Sequence, residues 1–459
     1  MEKSYTENEI RVLAQAAIGK TFGELKKIGS QFDKETTSNK GCFGHLFETD
    51  VYDYKINSNA EPDFKDAGIE LKVTPYKKNK DGTLSAKERI SLGIIKYKEE
   101  YKNTFETSQF LYKNRKIQII WYLYEPGVNK NDLKVTHEKL FTFPEEDLPI
   151  IKKDWETIME KIKAGKAHEL SEADTMYLGA CTKGGKGGNP KEQPFSDILA
   201  KQRAFSLKQS YMTMLVRKYI GNCDDVERVL KDRTCTFLEY IESVVSQYKG
   251  LSKSELKEMF EIKTENAKQV NSMIVSRMFN VKSDLKNTDE FLKANIEPKT
   301  VQMEQDGKIK ESASFPAFDF REVVSIPYDE SEFKDQLETT KFMFFVFKDN
   351  GTDYVFEGIK LWNTPVEFIE NEGRKVYEMA QSVIRSGEIV NHITPTGRRI
   401  TNFPKSRDNK VFHVRPHGSN SADTSPLPFR EKLTGEMEYT KHSFWINSSY
   451  LRVIMEEFK

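Results

Sequence analysis

An internal repeat constrains the fold of this 459-residue sequence more than any other feature. The segment "FLKANIEPKTV" at 291–301 aligns without a gap to "FKDAGIELKVT" at 64–74. Further blocks match in the same order: "KFMFFVFKD" corresponds to "KIQIIWYLY", and "HSFWINSSYL" to "RAFSLKQSYM" through the pattern F-x-[LI]-x-x-S-Y. Because several ordered blocks rarely coincide by chance, we predict two copies of one domain.

The repeat also sets the domain boundaries that we predict. The first domain covers residues 1–220, a linker covers 221–251, and the second domain covers 252–459. The first forty residues look helical, with apolar residues at helical spacing in "ENEIRVLAQAAIG". Apolar runs rich in β-branched and aromatic residues, such as "KIQIIWYLYE", read as strands. Strands interspersed with helices in each copy indicate an α/β class, in the mixed α+β sense.

Composition excludes several classes of protein. Lys plus Arg and Asp plus Glu both number 71, so the net charge says nothing about an anionic partner. Nucleic-acid binding depends on a local basic surface and stays open. The four cysteines have no zinc-ligand spacing and predict a reduced protein. Without a signal core or a membrane-spanning run, we expect a cytoplasmic protein that binds no membrane.

The stretch "AEPDFKDAGIELKVTPYKK", residues 60–78, places charges where hydrophobic periodicity does not require them. Glu70 and Lys72 are two positions apart on a predicted strand, so their side chains share one face. Asp63 precedes them in a loop, and Glu48, on a helix predicted through "GCFGHLFETDVY", can reach the same place. An exposed ion pair is the alternative interpretation of Glu70 and Lys72.

Converging carboxylates repel one another unless a cation lies between them. A small number of oxygen ligands suits Mg²⁺, which keeps several of its waters. A neighbouring lysine can orient a water or help to deprotonate it, as metal-assisted hydrolysis of a phosphodiester requires. No cysteine or histidine stands at a spacing that suggests zinc chemistry. The cluster therefore favours a metal site over an exposed ion pair.

The motif K-G-x-x-G-x-x-x-E, followed by D-x6-E-x-K, resembles the MutH family of GATC-directed endonucleases, within the PD-(D/E)xK restriction-endonuclease-like fold. The downstream blocks "YLGACTKG" and "RAFSLKQSYM", together with the repeat, resemble the Sau-type restriction endonucleases, in which two MutH-like domains lie in tandem. The resemblance implies that Asp63 and Glu70 bind the metal, that Lys72 is the catalytic lysine, and that Glu48 is an additional acid of the site.

The resemblance also implies which residues of the first copy contact DNA. Lys40 matches a basic residue near the scissile phosphate, and Lys113 matches a lysine before the next strand, although a solvated strand end remains an alternative for it. Lys183, in the glycine-rich loop "CTKGGKGG", matches a base-contacting lysine, and Lys186 supports it on phosphates. Ser206 stands where the family has a tyrosine that senses the N6-methyl group of adenine.

The second copy keeps part of the catalytic motif. Glu290, Glu297 and Lys299 occupy the places of the first copy's two metal ligands and lysine, whereas Val275 takes the place of the additional acid. Pro298 removes a backbone donor from the strand, and we expect it to distort that strand. These features predict a pseudo-nuclease that binds DNA and regulates the first copy, and cleavage by the second copy stays an alternative because Glu297 and Lys299 are retained.

Three residues of the second copy correspond to the DNA-reading positions of the first. They are Arg415, His417 and Trp445. A core position is the alternative for Trp445, since tryptophan is largely buried on average. A surface role without a ligand is the alternative for His417.

These features predict a Mg²⁺-dependent type II restriction endonuclease that cuts double-stranded DNA at 5′-GATC-3′, before the G. With one complete site in each chain, cutting both strands requires a transient homodimer on the DNA or sequential nicking. Two alternatives remain: a mismatch-repair nicking endonuclease, which the duplication disfavours, and a GATC-binding regulator without catalysis, which the complete acidic cluster disfavours.

Overall fold

The computed structural model describes residues 4–33, 41–54, 61–79, 82–183, 189–223, 226–231, 235–264 and 267–458. The chain divides into two compact units, one formed by Met1–Thr236 with Leu292–Asn295 and the other by Phe237–Phe291 with Ile296–Lys459. The predicted domain boundaries stay a prediction, and part of the predicted linker, Phe237–Tyr248, is a helix of the second unit. No helix in the described residues is long and apolar enough to cross a membrane.

The first unit mixes helices and strands, as the sequence predicts. Its helices are α1 (Glu7–Ala17), α2 (Phe22–Leu25), α3 (Cys42–Leu46), α4 (Gln109–Asn114), α5 (Leu148–Lys163) and α6 (Gln209–Tyr219). Its strands are β1 (Ile69–Lys78), β2 (Leu84–Ala86), β3 (Ile90–Ile94), β4 (Lys116–Leu123), β5 (Val135–Phe141), β6 (Leu178–Thr182), β7 (Pro190–Gln193), β8 (Ser196–Lys201) and β9 (Arg203–Leu207). A five-residue π-helical turn, Phe47–Val51, continues α3.

Strands β1 and β4 form the centre of a mixed sheet with the order β2-β1-β4-β5. β1 runs parallel to β4, with Glu70 opposite Ile117 and Lys72 opposite Ile119. The outer strands β2 and β5 pair antiparallel with β1 and β4 respectively. Because alternate residues of a strand share a face, Glu70 and Lys72 lie on one face and Leu71 on the other.

The face that carries Leu71 packs on the N-terminal helices. Leu71 and Ile120 of the sheet join Ile10 of α1, Phe22 of α2 and Leu46 of α3 in one buried cluster. Each such side chain stabilises the fold by about 1.5–3 kcal/mol when it is fully buried. This packing fixes which face of β1 turns inward, and so leaves the glutamate and the lysine of the E-x-K motif on the opposite face.

A second, antiparallel sheet of the first unit has the order β3-β9-β6. Ser206, the fourth of the five residues of β9, lies opposite Ser91 of β3 and Gly179 of β6. The hairpin β7–β8 lies between β6 and β9 in the sequence and forms its own two-stranded pairing. The glycine-rich loop before β7, residues 184–188, lies outside the described part of the chain.

The second unit is also built from both kinds of element. Its helices are α7 (Phe237–Tyr248), α8 (Lys253–Met259), α9 (Ala267–Met278), α10 (Asp289–Ala294, whose last residues group with the first unit), α11 (Phe320–Ser325), α12 (Glu332–Thr339), α13 (Val366–Phe368), α14 (Arg374–Ser386) and α15 (Ser448–Ile454). Its strands are β10 (Ile296–Met303), β11 (Ala313–Ala317), β12 (Lys341–Asp349), β13 (Tyr354–Asn363), β14 (Val390–Ile393), β15 (Arg399–Thr401), β16 (Phe412–Pro416), β17 (Thr424–Pro426), β18 (Glu438–Thr440) and β19 (His442–Ile446).

The strand pairings of the two units correspond. β10 runs parallel to β12, and β12 pairs antiparallel with β13, as β1, β4 and β5 do. β19 pairs antiparallel with both β11 and β16, as β9 does with β3 and β6. The corresponding strands occur in the same chain order as the repeated sequence blocks, which supports a tandem duplication.

The prediction that Pro298 distorts its strand is wrong. β10 keeps an unbroken parallel register with β12, from Ile296 opposite Lys341 to Met303 opposite Lys348. β10 stands at the end of the order β10-β12-β13 among the described strands. A strand at the edge of a sheet tolerates proline, because a missing N–H group on its open side interrupts no ladder.

A buried carboxylate ties α5 to the start of β6. Asp154 is 3% exposed and accepts hydrogen bonds from the backbone N–H groups of Met176 (2.7 Å), Tyr177 (2.6 Å) and Leu178 (2.9 Å). Burial raises the pKa of Asp154, and the three hydrogen bonds oppose that rise. The connection therefore depends on an acceptor with several lone pairs at this position.

We expect Asp154→Ala to lower the free energy of unfolding of the first unit by about 3 kcal/mol, because it leaves three buried N–H groups without an acceptor. Urea unfolding followed by intrinsic fluorescence measures the change. Lys153→Ala is the control on the same helix, since its side chain is 54% exposed, and we expect a change below about 0.5 kcal/mol. Equal losses in both variants would contradict a structural role for the Asp154 hydrogen bonds.

Candidate active site

The acid ahead of β1 lies in a tight turn that closes back on the strand. Phe64 exchanges two backbone hydrogen bonds with the first residue of β1, and Gly68 has a φ of +64°, which favours glycine. The turn places Asp63 beside the strand, where its Oδ2 accepts a hydrogen bond from Leu71 N–H at 2.9 Å. The N–H of Asp63 in turn donates to Glu70 Oε2 at 3.3 Å. The two acids are therefore held together by the backbone.

Two lysines reach the same oxygen of Glu70. Lys72 Nζ donates to Glu70 Oε1 at 2.6 Å, and Lys113 Nζ, from the last turn of α4, lies 3.4 Å from it. The Glu70 side chain is 2% exposed, so this carboxylate is buried with its partners. The structure thus brings Lys113, assigned by resemblance alone, next to the predicted acid and lysine of β1.

Glu48 interacts electrostatically with Asp63, Glu70 and Lys72. It lies in the π-helical turn Phe47–Val51, and burial together with the charge of Asp63 raises its pKa to about 7. Burial and the charge of Glu70 likewise raise the pKa of Asp63 to about 6, against the opposing effect of Lys72. The acids therefore repel one another in a site from which most water is excluded.

Lys72 is a cation in this setting. Burial alone would lower its pKa, but the carboxylates of Glu70, Asp63 and Glu48 outweigh burial and raise the pKa above its ordinary value. A lysine held in the charged form has three donors and no lone pair to accept a proton. Its chemistry here is to hold a carboxylate, orient a water or stabilise a negatively charged phosphate.

The donor set fits a hard divalent cation. Within the described ranges, no three His, Cys, Asp or Glu side chains are arranged to hold a metal by themselves. Mg²⁺ does not need such a cage, because it is ordinarily bound through one or two carboxylates and keeps several waters. Asp63 and Glu70 supply two carboxylates, and their mutual repulsion is the condition that a cation relieves.

The corresponding residues of the second unit are arranged differently. Lys299 Nζ and Glu297 Oε1 also pair, at 3.0 Å, but the Glu297 side chain is 39% exposed. Glu290 is buried on α10, and Val275 is buried on α9. The glutamate of the second unit's E-x-K pair is therefore partly open to solvent, in contrast to the buried Glu70, whereas the two lysines are similarly exposed.

The predicted DNA-contacting residues of the first unit differ in how far the structure describes and exposes them. Lys40 and Lys186 lie outside the described residues. Lys183 follows β6 and is half-buried, with its N–H donating to Gln202 O at 2.8 Å. Ser206, by contrast, is completely buried.

The Ser206 hydroxyl belongs to an interior network that the sequence did not predict. It donates to Glu172 Oε1 at 2.9 Å, and Arg89 pairs with the other oxygen of the same carboxylate. A Cβ atom at Gly179 would lie 2.9 Å from Glu172 Cγ, so glycine leaves the room that this network occupies. These residues are far apart in sequence, and no local spacing could have indicated that they meet.

The three predicted residues of the second unit do lie together. The Arg415 guanidinium is 4.5 Å from the centre of the Trp445 ring, and the His417 ring is 5.4 Å from it. His417 Nδ1 lies 2.7 Å from Ser443 Oγ, and Arg415 is exposed while Trp445 is half-buried. The result is an aromatic and basic surface on β16 and β19.

Comparison with known proteins finds relatives of this chain. The family model "DNA mismatch repair enzyme MutH" matches residues 52–154, which include Asp63, Glu70, Lys72 and Lys113. The type II restriction enzyme Sau3AI of Staphylococcus aureus is 35% identical, and the alignment covers 100% of both chains. The chain belongs to the family of MutH and Sau3AI. The predicted resemblance is confirmed.

MutH relatives within this family match a shorter part of the chain. The DNA mismatch repair protein MutH of Shewanella woodyi is 26% identical over 47% of this chain and 93% of its own length. The MutH protein of Pasteurella multocida is 29% identical over 36% of this chain and 73% of its own length. Nearly a whole MutH protein thus corresponds to about half of this member of the family.

We expect Asp63→Asn to stabilise the first unit at alkaline pH. A carboxyl pKa raised from 3.8 to about 6 means that the folded state binds the proton more tightly than the unfolded chain does. The stabilisation that this proton provides is complete below about pH 4 and is lost as the pH rises through 6. Because the amide that replaces the carboxylate carries no charge, we expect the free energy of unfolding of Asp63→Asn to exceed that of the wild type by about 2 kcal/mol at pH 8 and to equal it at pH 4.

Thermal unfolding at both pH values, in the presence of a metal chelator, measures this difference. Asp66→Asn is the matched control, because Asp66 is exposed in the same turn. A gain of equal size at pH 4 and pH 8 would show that packing, rather than repulsion among the acids, causes the effect.

Proposed function

We propose that this protein is a type II restriction endonuclease that uses Mg²⁺ to hydrolyse double-stranded DNA at 5′-GATC-3′, before the G. The observation that carries the proposal is the buried cluster of Asp63, Glu70 and Lys72 on and before β1, with Glu48 and Lys113 beside it. Membership of the family of MutH and Sau3AI supports the reaction, and the resemblance of the ordered motifs to GATC-directed enzymes supports the recognition sequence.

Each residue of the cluster has a role that its contacts support. Asp63 and Glu70 would hold Mg²⁺, which when bound supplies Lewis-acid stabilisation of the phosphate charge. Lys72 is held as a cation by Glu70 and orients the attacking water or stabilises the phosphate oxygens. Lys113 adds a second positive charge beside Glu70, and Glu48 completes the acidic cluster.

We propose that the second unit binds DNA and regulates the first unit. Its exposed Glu297 and its buried Val275 are poor substitutes for the buried acids of the first unit. The adjacent Arg415, His417 and Trp445 offer charge and an aromatic ring on one surface, which suits contact with nucleic acid. The corresponding strand pairings, and the match of MutH to about half of the chain, support the duplication on which this division of labour depends.

With one complete site in each chain, cutting both strands would need two chains. We propose that they meet as a transient homodimer on the DNA, or that one chain nicks the two strands in sequence. A mismatch-repair nicking enzyme remains the second candidate, because MutH relatives share the catalytic segment. A plasmid with several GATC sites distinguishes the two, since persistent nicked circles without linear fragments would favour the nicking enzyme.

We expect Lys72→Ala to lower the rate of cleavage of such a plasmid about 10³-fold, because it removes the cation from the reacting phosphate. Gel electrophoresis follows cleavage, and a mobility-shift assay should show retained binding to a GATC duplex. Lys299→Ala makes the same change in the exposed pair of the second unit, and we expect the cleavage chemistry to persist. Loss of cleavage in Lys299→Ala alone would move the reaction to the second unit, and no cleavage by the wild type would favour a binding-only regulator.

We propose that adenine methylation does not protect the site. The serine at position 206 is buried against Glu172, so no tyrosine ring extends from this position to meet the N6-methyl group. Plasmids with and without N6-methyladenine in GATC should be cut at rates within about twofold of each other, since no repulsive contact distinguishes them. A block of cleavage by adenine methylation, with cytosine methylation tolerated, would contradict this hypothesis.

A further inference from the structure

Glu48 lies in a π-helical turn, and contacts outside the turn must stabilise this irregular conformation. The turn Phe47–Val51 is π-helical and ends with the bond from Tyr52 N–H to Phe47 O at 2.9 Å. π-helical turns are rare, and they occur frequently at functional sites. The neighbouring Asp53 has a φ of +55°, which is unfavourable for a residue with a side chain.

Ile10 of helix α1 and Tyr5, two residues before the helix, hold the end of this turn at two points. The Tyr5 hydroxyl donates to the backbone oxygen of Tyr52. The Tyr52 hydroxyl donates back to Ile10 O, at 3.1 Å. Both tyrosines are buried, and burial raises the pKa of Tyr52 well above its ordinary value, so its hydroxyl keeps the proton that it donates. The π-helical turn is thereby fixed to the N-terminal helix.

The same two tyrosines also pack on the turn that carries Asp63. The rings of Tyr5 and Phe64 meet edge to face at 5.7 Å, and those of Tyr52 and Phe64 at 4.8 Å. Phe64 directly follows Asp63 and is bound to the start of β1 through its backbone. We call Tyr5, Tyr52 and Phe64 the aromatic clamp. It joins the segments that present two acids of the candidate site.

We propose that Tyr5 is a positioning residue for cleavage: through Tyr52 and Phe64 it fixes Glu48 relative to Asp63. Tyr5 itself is placed in the core, in contact with the segments and not with the reacting groups. The inference rests on the proposed function, because it assigns Tyr5 a part in the geometry of the proposed active site. Nothing in the sequence around Tyr5 indicates it, since its hydroxyl partner lies 47 residues away.

The alternative is that Tyr5 contributes only stability. A buried tyrosine hydroxyl bonded to a backbone oxygen stabilises any fold by about the same amount, wherever it lies. Tyr97 provides the matched control, because it is buried in the same unit and its hydroxyl donates to Lys201 O at 2.6 Å. A purely structural role predicts the same consequences for Tyr5→Phe and Tyr97→Phe.

The experiment measures kcat and KM for cleavage of a GATC duplex with Mg²⁺, together with thermal unfolding, for wild type, Tyr5→Phe and Tyr97→Phe. We expect Tyr5→Phe to lower kcat about tenfold with KM unchanged, because a small displacement of a catalytic group is costly. Tyr97→Phe should lower the unfolding temperature to a similar extent and leave kcat unchanged. Equal kcat values for the two variants would overturn the inference.

A double-mutant cycle tests whether Tyr5 acts through Glu48. If it does, the kcat loss caused by Tyr5→Phe should disappear when Glu48 is already replaced by Gln, since coupled residues are not additive. Additive losses would overturn the inference. Tyr52→Phe, which removes the bond to Ile10, replaces Tyr5→Phe in the same cycle if the latter does not fold.

The wild-type measurement separates this inference from the proposed function. A wild type that does not cut the duplex contradicts the proposed function itself. A wild type that cuts, alongside a Tyr5→Phe variant indistinguishable from Tyr97→Phe, leaves the proposed function standing and contradicts the role of Tyr5 alone.

Discussion

Repulsion between neighbouring carboxylates is the constraint that the packing of the first unit has to overcome. Asp63 and Glu70 are held together by backbone hydrogen bonds, and burial together with the charge of Glu70 raises the pKa of Asp63. Two lysines reach Glu70 from β1 and α4, but they offset only part of the effect of burial on the pKa values of Asp63 and Glu48. The fold therefore stores unfavourable energy at one place, and the hydrophobic packing of the other face of β1 holds the strand against it.

The sequence predicts the strands and the E-x-K motif because both follow from local periodicity. Glu70 and Lys72 share a face for the simple reason that strand residues alternate. The sequence places Glu48 on a preceding helix within reach of the site, but its role as an additional acid comes from resemblance, since its approach depends on how α3 packs on the sheet. The burial of Ser206 depends on partners distant in sequence, and the regular strand around Pro298 depends on its position at the edge of a sheet. Periodicity contains neither kind of information.

The second unit has the same strand pairing as the first, but the glutamate of its E-x-K pair has different surroundings. It keeps the parallel pair of β10 and β12 and a paired Glu297 and Lys299, yet the glutamate is open to water. In water, such a pair contributes little to stability and exerts a weak field on a phosphate. The strands persist because their apolar faces build a core, independently of the charges that they carry. A matching strand arrangement can therefore persist although the surroundings of the glutamate differ between the two units.

The π-helical turn at Phe47–Val51 has a consequence for how this chain tolerates changes in length. A π-helical turn contains one residue more than an α-helical turn. A deletion between Glu48 and Tyr52 would shorten this turn to α-helical length and leave the two residues three positions apart instead of four. Glu48 and the anchoring Tyr52 could not then both keep their places. This short segment is fixed in length even where its individual side chains can vary.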